Sequence, residues 1–297
     1  MAKQDQSHPA NVDGPWFVDT RCIACDVARH WAPGLIRPDD GAYSFLARQP
    51  TSAAEESALW RAAHACPTQS IGNRAARRPA APPFPYAMTD GVWALGHNAR
   101  ETFGAHAWLV QRPEGNLLID VPRFSGSLAA AVEDLGGVAR VLLTHQDHVA
   151  GGEAWVERFG AEAWIHESEA STAAYAKNHF GDAREQLWPG VTVLHIPGHT
   201  RGSMAFQMDE RVLFTGDSLR WNVRRATLDV FPRQTWQSWS VLADSMDALA
   251  QLRAEWVLPG HGMWARVGFE EYARQMGSLG ADMRRVGQSA WSRRPAP

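Results

Sequence analysis

VLLTHQDHVAGG, residues 141–152, is the stretch that decides how this chain is read. Val141, Leu142 and Leu143 form an apolar run that Thr144 closes, and residues 141–144 read as a buried strand. The next four residues bring His145, Asp147 and His148, after which Gly151 and Gly152 release the chain into a helix over 153–159. Imidazole nitrogens and a carboxylate converging at a strand end are the donors that a borderline cation such as Zn²⁺ takes. Three later segments repeat the theme. HIPGHTRGS (195–203) presents His199 on a Pro-Gly turn, VLFTGDS (212–218) ends an apolar strand with Asp217, and VLPGHG (257–262) presents His261. A single His or Asp at a strand end is most often a cap, a turn or a packed core residue. Four such segments in this order point to one metal centre.

Working outward, strands are expected over 92–98 and 106–121, the latter a hairpin turning at Pro113-Glu114-Gly115. A helix over 127–135 has Ser127 as its N-cap and Gly136 as its stop. Further strands are expected at 162–166, 191–196, 203–208, 212–215 and 256–258. Helices are expected at 236–252 and 268–286, before a loose tail at 292–297, SRRPAP. This alternation gives an α/β class. Arginine and proline break the apolar pattern in RAARRPAAPPFP, residues 74–85, as an extended connector does. The expected organisation is a small domain over 12–73, a linker over 74–88 and a large domain over 89–290.

The chain has 297 residues, a net charge of −3 and twelve histidines. That charge argues against nucleic acid or an anionic membrane as the main partner. No apolar run approaches the roughly 18 residues of a bilayer span. The polar start, MAKQDQSHPANVDG, has no secretory apolar core. With only Cys22, Cys25 and Cys66, the chain suits a reducing compartment, and a cytoplasmic location is expected.

The four segments resemble the metallo-β-lactamase superfamily, whose pattern runs T-H-x-H-x-D-H, P-G-H-T-x-G-S, F-x-G-D and P-G-H-G. The resemblance covers about residues 91–265 and implies an αββα sandwich with metals held at one edge of its two sheets. It also implies a first metal set of His145, His199 and Asp217, and a second of Asp147, His148, His261 and the shared Asp217. Asp147 would orient or deprotonate the attacking water, and Asp120 would be a structural residue of the early hairpin. THQDH departs from the family pattern by one histidine: either Leu143 stands in the first position, or the loop has lost residues. The first set then has two histidines and a carboxylate, a face that iron(II) also accepts. One or two divalent cations are implied, zinc foremost, with iron or manganese as alternatives.

A second resemblance lies in WFVDTRCIACDVARHWAPGLI (16–36) and HACPTQSI (64–71), which are similar to single-cluster bacterial ferredoxins of α+β fold. It implies an iron–sulfur site on Cys22, Cys25 and Cys66, but Ala28 stands where the third cysteine of C-x-x-C-x-x-C belongs. His30 is out of register. The site is expected to be degenerate, with a three-thiolate cluster or a structural zinc as alternatives.

The function implied is hydrolysis of a small ester, thioester or lactone by a metal-activated water. The alternatives are a mononuclear-iron oxidoreductase acting on persulfide-type sulfur, with the ferredoxin-like domain serving a redox partner, and a catalytically weak metal-binding homologue. His195 and His166 read as packed residues or partners of the centre. Trp221, Trp236 and Trp239 read as pocket or core.

Overall fold

The computed structural model describes residues 2–294, so three residues of the expected loose tail, 295–297, lie outside the described residues. The chain forms two compact units, one running to Ala139 and adding Ala150–Ala161, the other comprising Arg140–Val149 and everything from Glu162 on.

In the first unit, Trp16–Val18 pairs antiparallel with Ile71–Asn73, and Ile36–Pro38 pairs with Ser44–Leu46. Helix Ala53–Ala65 starts where the Ser52 side chain accepts from the Glu55 amide, and it stops ahead of Cys66-Pro67, as proline requires. Trp16, Phe17, Leu46 and Leu59 are buried in this α+β segment, with Trp16 meeting Trp60 edge-on at 4.7 Å. The Pro/Arg-rich stretch over 74–88 lies within the unit, and its last residues open the strand Tyr86–Thr89. Trp31 packs edge-on against Phe84 of this stretch at 5.0 Å, and the residues on either side of it are joined where the His97 amide donates to the His64 carbonyl at 3.2 Å.

An antiparallel meander follows through Tyr86–Thr89, Val92–Ala94, Trp108–Val110 and Leu117–Ile119. The hairpin turns where expected, with Gly115 at φ +106°. Helix Gly126–Asp134 is capped by Ser125 rather than Ser127: the Ser125 hydroxyl accepts from the Leu128 amide, so the SGS sequence enters the helix one serine early. Helix Gly152–Phe159 belongs to this unit and is fixed by the Trp155 indole, which donates to the Pro122 carbonyl at 2.8 Å.

The second unit has three parallel strands, Arg140–Leu142, Glu162–His166 and Asn178–Phe180. It also has a six-stranded sheet in the order Glu185–Trp188, Val191–His195, Met204–Met208, Val212–Phe214, Trp256–Leu258 and Ala265–Arg266. Met204–Met208 is buried at every position, as a central strand covered on both faces must be. Helices Trp239–Leu249 and Phe269–Val286 close one face over Leu213, Leu242, Met246, Val257, Tyr272 and Met276. Truncating a buried side chain such as Met276 to alanine would cost about 2–5 kcal/mol.

The helix expected from residue 236 begins instead at Trp239. The amides of Trp236 and Gln237 donate to the His199 and Gly198 carbonyls, which holds them out of helical geometry, and Ser238 then caps the helix through the Val241 amide. No helix among the described residues is long and apolar enough to cross a membrane.

Burial, reinforced by the charge of Arg123, pushes the His97 imidazole down from 6.5 to about 4. Between those values the unfolded chain binds a proton that the folded chain does not, so stability falls as pH falls through that window. This one ring should contribute a loss of roughly 2–3 kcal/mol by pH 4.5. Urea midpoints at pH 7 and pH 4.5 should therefore differ less in His97→Gln than in the unaltered chain, and equal differences would refute the assignment.

Candidate metal centre

The strand Arg140–Leu142 continues as buried chain through Leu143 and Thr144 to His145, which is still extended at φ −172° and ψ 173°. A single 3₁₀ turn, Gln146–His148, then reverses the chain. It brings the rings of His145 and His148 within 4.1 Å, centroid to centroid. Thr144 anchors both: its hydroxyl lies 2.9 Å from His145 Nδ1 and 3.4 Å from His148 Nδ1, while its carbonyl accepts the Met204 amide at 2.7 Å. The outer nitrogens, Nε2, are thereby turned to the centre.

His199 follows Pro197-Gly198. Gly198 sits at φ +132°, and a Cβ there would lie 2.5 Å from Leu242 Cα, so the turn admits only glycine. His199 Nδ1 donates to the Gln234 carbonyl in a short hydrogen bond, leaving Nε2 as the lone-pair atom, 3.1 Å from His145 Nε2. His261 follows Gly260, where a Cβ would meet His148 Cε1 at 2.2 Å. Its Nδ1 is 3.3 Å from His148 Nε2.

Asp217 holds the middle. Its Oδ2 lies 3.7 Å from His145 Nε2, 3.7 Å from His199 Nε2, 3.6 Å from His148 Nε2 and 2.8 Å from His261 Nδ1. Two groups of three donors share this carboxylate, His145–His199–Asp217 and His148–Asp217–His261. Asp147, expected with the second group, has its Oδ2 3.8 Å from His145 Nε2 and 3.6 Å from His199 Nε2, on the first.

Burial alone would raise the Asp217 carboxyl, but the neighbouring His261 and His148 hold it well below the usual range. Burial, then His148 and His199, pushes the His145 imidazole well below its usual value. An ionised carboxylate and a neutral imidazole are the forms in which these side chains coordinate cations. Donor separations of 3.1–3.3 Å between imidazole nitrogens are those of ligands each about 2.0–2.1 Å from a shared ion. The residues present therefore fit divalent cations.

Sequence reasoning missed Glu169. It is buried in the 3₁₀ turn Glu167–Thr172, and its carboxylate accepts the Gln146 amide on Oε2 and the Gly202 amide on Oε1, each at 2.7 Å. One side chain thus ties the loop of His145 and His148 to the loop of His199. The surrounding IHESE sequence carries no signal beyond a charged residue next to a strand end. Of the three tryptophans, Trp236 is 63% exposed, with its ring centroid 6.4 Å from that of His199. Trp239 instead donates to the Met283 carbonyl and Trp221 packs on the core. His166 and His195 stack on each other at 4.2 Å.

Among the cysteines, which form no disulfide, Cys22 Sγ accepts the Ala24 and Ser44 amides at 3.4 and 3.3 Å, and Cys66 Sγ accepts Ser70 at 3.3 Å. Burial, with the charges of Cys66 and Cys22 adding to it, pushes the Cys25 thiol up to about 12. Ala28, buried in helix Val27–Trp31, supplies no fourth sulfur.

Glu169→Gln keeps the shape of the bridge but turns an amide N–H toward one of the two backbone donors. The loss should be about 1–3 kcal/mol of stability and about 10–100-fold in cation affinity. Competition against a chromophoric chelator reads the second, and undiminished affinity would show that the two loops hold their positions without Glu169.

A family model of the metallo-beta-lactamase superfamily matches residues 91–274, and one of the 4Fe-4S single cluster domain of Ferredoxin I matches residues 18–73. Hydroxyacylglutathione hydrolase of Cereibacter sphaeroides is 36% identical over 129 residues, covering 41% of this chain and 49% of that protein. The probable metallo-hydrolase YybB of Bacillus subtilis is 25% identical over 154 residues, covering 42% of this chain and 70% of that protein. The chain thus spans about half the length of the hydroxyacylglutathione hydrolases it matches. The crystal structure of VMB-1 superposes with a TM-score of 0.51 at 14% identity, covering 67% of this chain and 96% of that one, a likeness of fold alone. With the family match spanning well over half of its residues, the chain belongs to the metallo-β-lactamase superfamily.

Proposed function

We propose that the chain is a metal-dependent hydrolase of small esters, thioesters or lactones, with thioesters foremost. The observation that carries the reading is the single buried oxygen, Asp217 Oδ2, within 3.7 Å of four imidazole nitrogens on three separate loops. His145, His199 and Asp217 would hold one cation, and His148, His261 and Asp217 a second. Such cations supply Lewis acidity and bring the pKa of water toward neutrality. Zinc suits this donor set best, with iron or manganese as alternatives.

The chain's own groups divide the remaining work. Asp147 stands beside His145 and His199 with its side chain 46% exposed, so it can accept a proton from water and return it to solvent. Trp236 offers an aromatic wall on the His199 side for the acyl part of a substrate. The name of the hydroxyacylglutathione hydrolase relatives supports a thioester as the first substrate to try.

A hydroxyacyl thioester of glutathione should be cleaved by the zinc-loaded chain, with activity lost to a chelator and restored by Zn²⁺. Asp147→Asn should lower kcat by about 10²–10⁴-fold and change KM little. A zinc-replete chain inert toward thioesters, esters and lactones alike would sink the reading.

The two-imidazole, one-carboxylate composition that both groups share favours one rival, an iron-dependent oxidoreductase of persulfide-type sulfur to which the cysteine-bearing domain would pass electrons. Elemental analysis of anaerobically purified chain separates the two. Zinc without acid-labile sulfide is expected. Iron with sulfide, a brown spectrum and oxygen uptake on adding a persulfide would move the redox reading ahead.

A further inference from the structure

A third convergence of donors lies in the second unit, in residues that the centre does not use. His166 ends the strand Glu162–His166, His195 ends Val191–His195, and Asp182 lies between Asn178–Phe180 and Glu185–Trp188. His166 Nε2 and His195 Nδ1 each stand 3.1 Å from the same atom, Asp182 Oδ1, and all three donors lie within 4.8 Å of one another. The two rings are stacked, 4.2 Å apart with 13° between their planes.

The far nitrogens fix what the near ones can do. His195 Nε2 lies 2.8 Å from the Arg201 carbonyl, which can only accept, so Nε2 carries the proton and the neutral ring aims the Nδ1 lone pair at Asp182. His166 Nδ1 accepts the Ser168 amide at 3.2 Å and lies 2.8 Å from the Ser168 hydroxyl, so its Nε2 carries a proton toward Asp182, and only His195 has its far N–H on a carbonyl acceptor. Histidines that bind metals characteristically donate their other ring N–H to such an acceptor. The His195 Nδ1 lone pair faces the Asp182 carboxylate oxygen and is repelled by it unless a cation or a proton sits between them. Two protonated rings stacked this closely would repel in turn.

We propose that His166, His195 and Asp182 form a separate site for a divalent transition metal. Two donors about 2.1 Å from an ion and 3.1 Å from each other subtend about 95° at it. Two imidazoles and a carboxylate are a nitrogen and oxygen donor set that Cu²⁺ and Ni²⁺ take. The histidines are largely buried, but the Asp182 side chain is 77% exposed, so the remaining coordination positions face solvent. A cation must displace the proton that the Ser168 amide keeps on His166 Nε2, and the site should therefore exchange its cation readily. A cation here would join the residue that opens the turn of Glu169 to the strand that leads into His199. This site does not depend on the hydrolase reading, because none of its ligands belongs to the centre around Asp217.

The test uses the tag-free full chain, loaded with Zn²⁺, dialysed free of readily exchanged zinc and then titrated with Cu²⁺, with electron paramagnetic resonance and a zinc indicator as readouts. One Cu²⁺ per chain should bind with hyperfine structure from two imidazole nitrogens and no release of zinc. Asp182→Asn, a change at an exposed position, should weaken binding about tenfold or more. His195→Gln, which can still donate to the Arg201 carbonyl, should abolish the two-nitrogen signal. Zinc release in proportion to copper bound, no copper bound, or the same signal and affinity in both variants would each overturn the proposal and leave a hydrogen-bonded His-Asp-His cluster. Hydrolase activity of the zinc-loaded chain, measured on the same samples, reports separately on the centre around Asp217.

Discussion

A carboxylate removed from water must be compensated, and in this chain that carboxylate is Asp217. An isolated buried anion would take up a proton rather than remain charged. Asp217 stays ionised because His261 and His148, with His145 and His199 behind them, surround one of its oxygens. Four imidazoles can be brought to one point only if the loops carrying them approach more closely than ordinary side chains allow. Hence the contact of Gly260 with His148, the contact of Gly198 with Leu242, and the Glu169 bridge between two loop backbones. The sheets of the second unit deliver the loops, and the buried helices behind them keep the strand ends from shifting.

Much of this was legible in the sequence, for a physical reason. Metal donors are few in kind, and the turns that aim them need Pro-Gly or Gly-Asp pairs at fixed offsets, so His199, Asp217 and His261 announce themselves. The strands Glu162–His166 and Trp256–Leu258 fall where their apolar runs place them. What stayed hidden depends on partners distant in sequence. Glu169 bonds to backbone amides 23 and 33 residues away, and His199 is oriented by a carbonyl 35 residues on. Backbone groups carry no residue signature, so such bonds leave no trace in composition. The late start of the helix Trp239–Leu249 has the same origin: the amides of Trp236 and Gln237 are committed to the loop of His199, which helical periodicity cannot register.

The cysteine-bearing segment raises a related question of compensation. Cys22 and Cys66 accept backbone amides on sulfur, while burial drives the Cys25 and Cys66 thiols toward their neutral forms. A bound cation or cluster would reconcile the two, as it would for the four imidazoles. Ala28 supplies no sulfur where a complete cluster uses a fourth, so a cluster here would rest on three cysteines. The segment is thus a ferredoxin-like scaffold whose packing, through Trp16, Leu46 and Leu59, does not depend on the missing ligand.

Asp147 and Asp217 show how environment assigns different work to identical side chains. Both lie beside His145 and His199. Asp217 is sealed among imidazoles and held ionised, so it is a poor proton carrier: protonating it would strand the rings that surround it. Asp147 is nearly half exposed, so solvent reaches its carboxylate. The same exposure makes it the weaker anchor, since its attraction to the neighbouring rings is screened. In the proposed hydrolysis Asp217 would be the fixed carboxylate that holds charge in place and Asp147 the one that meets solvent. The one-residue spacing of His145 and Asp147 on a 3₁₀ turn separates them, because the turn carries Asp147 outward while His145 stays against Asp217.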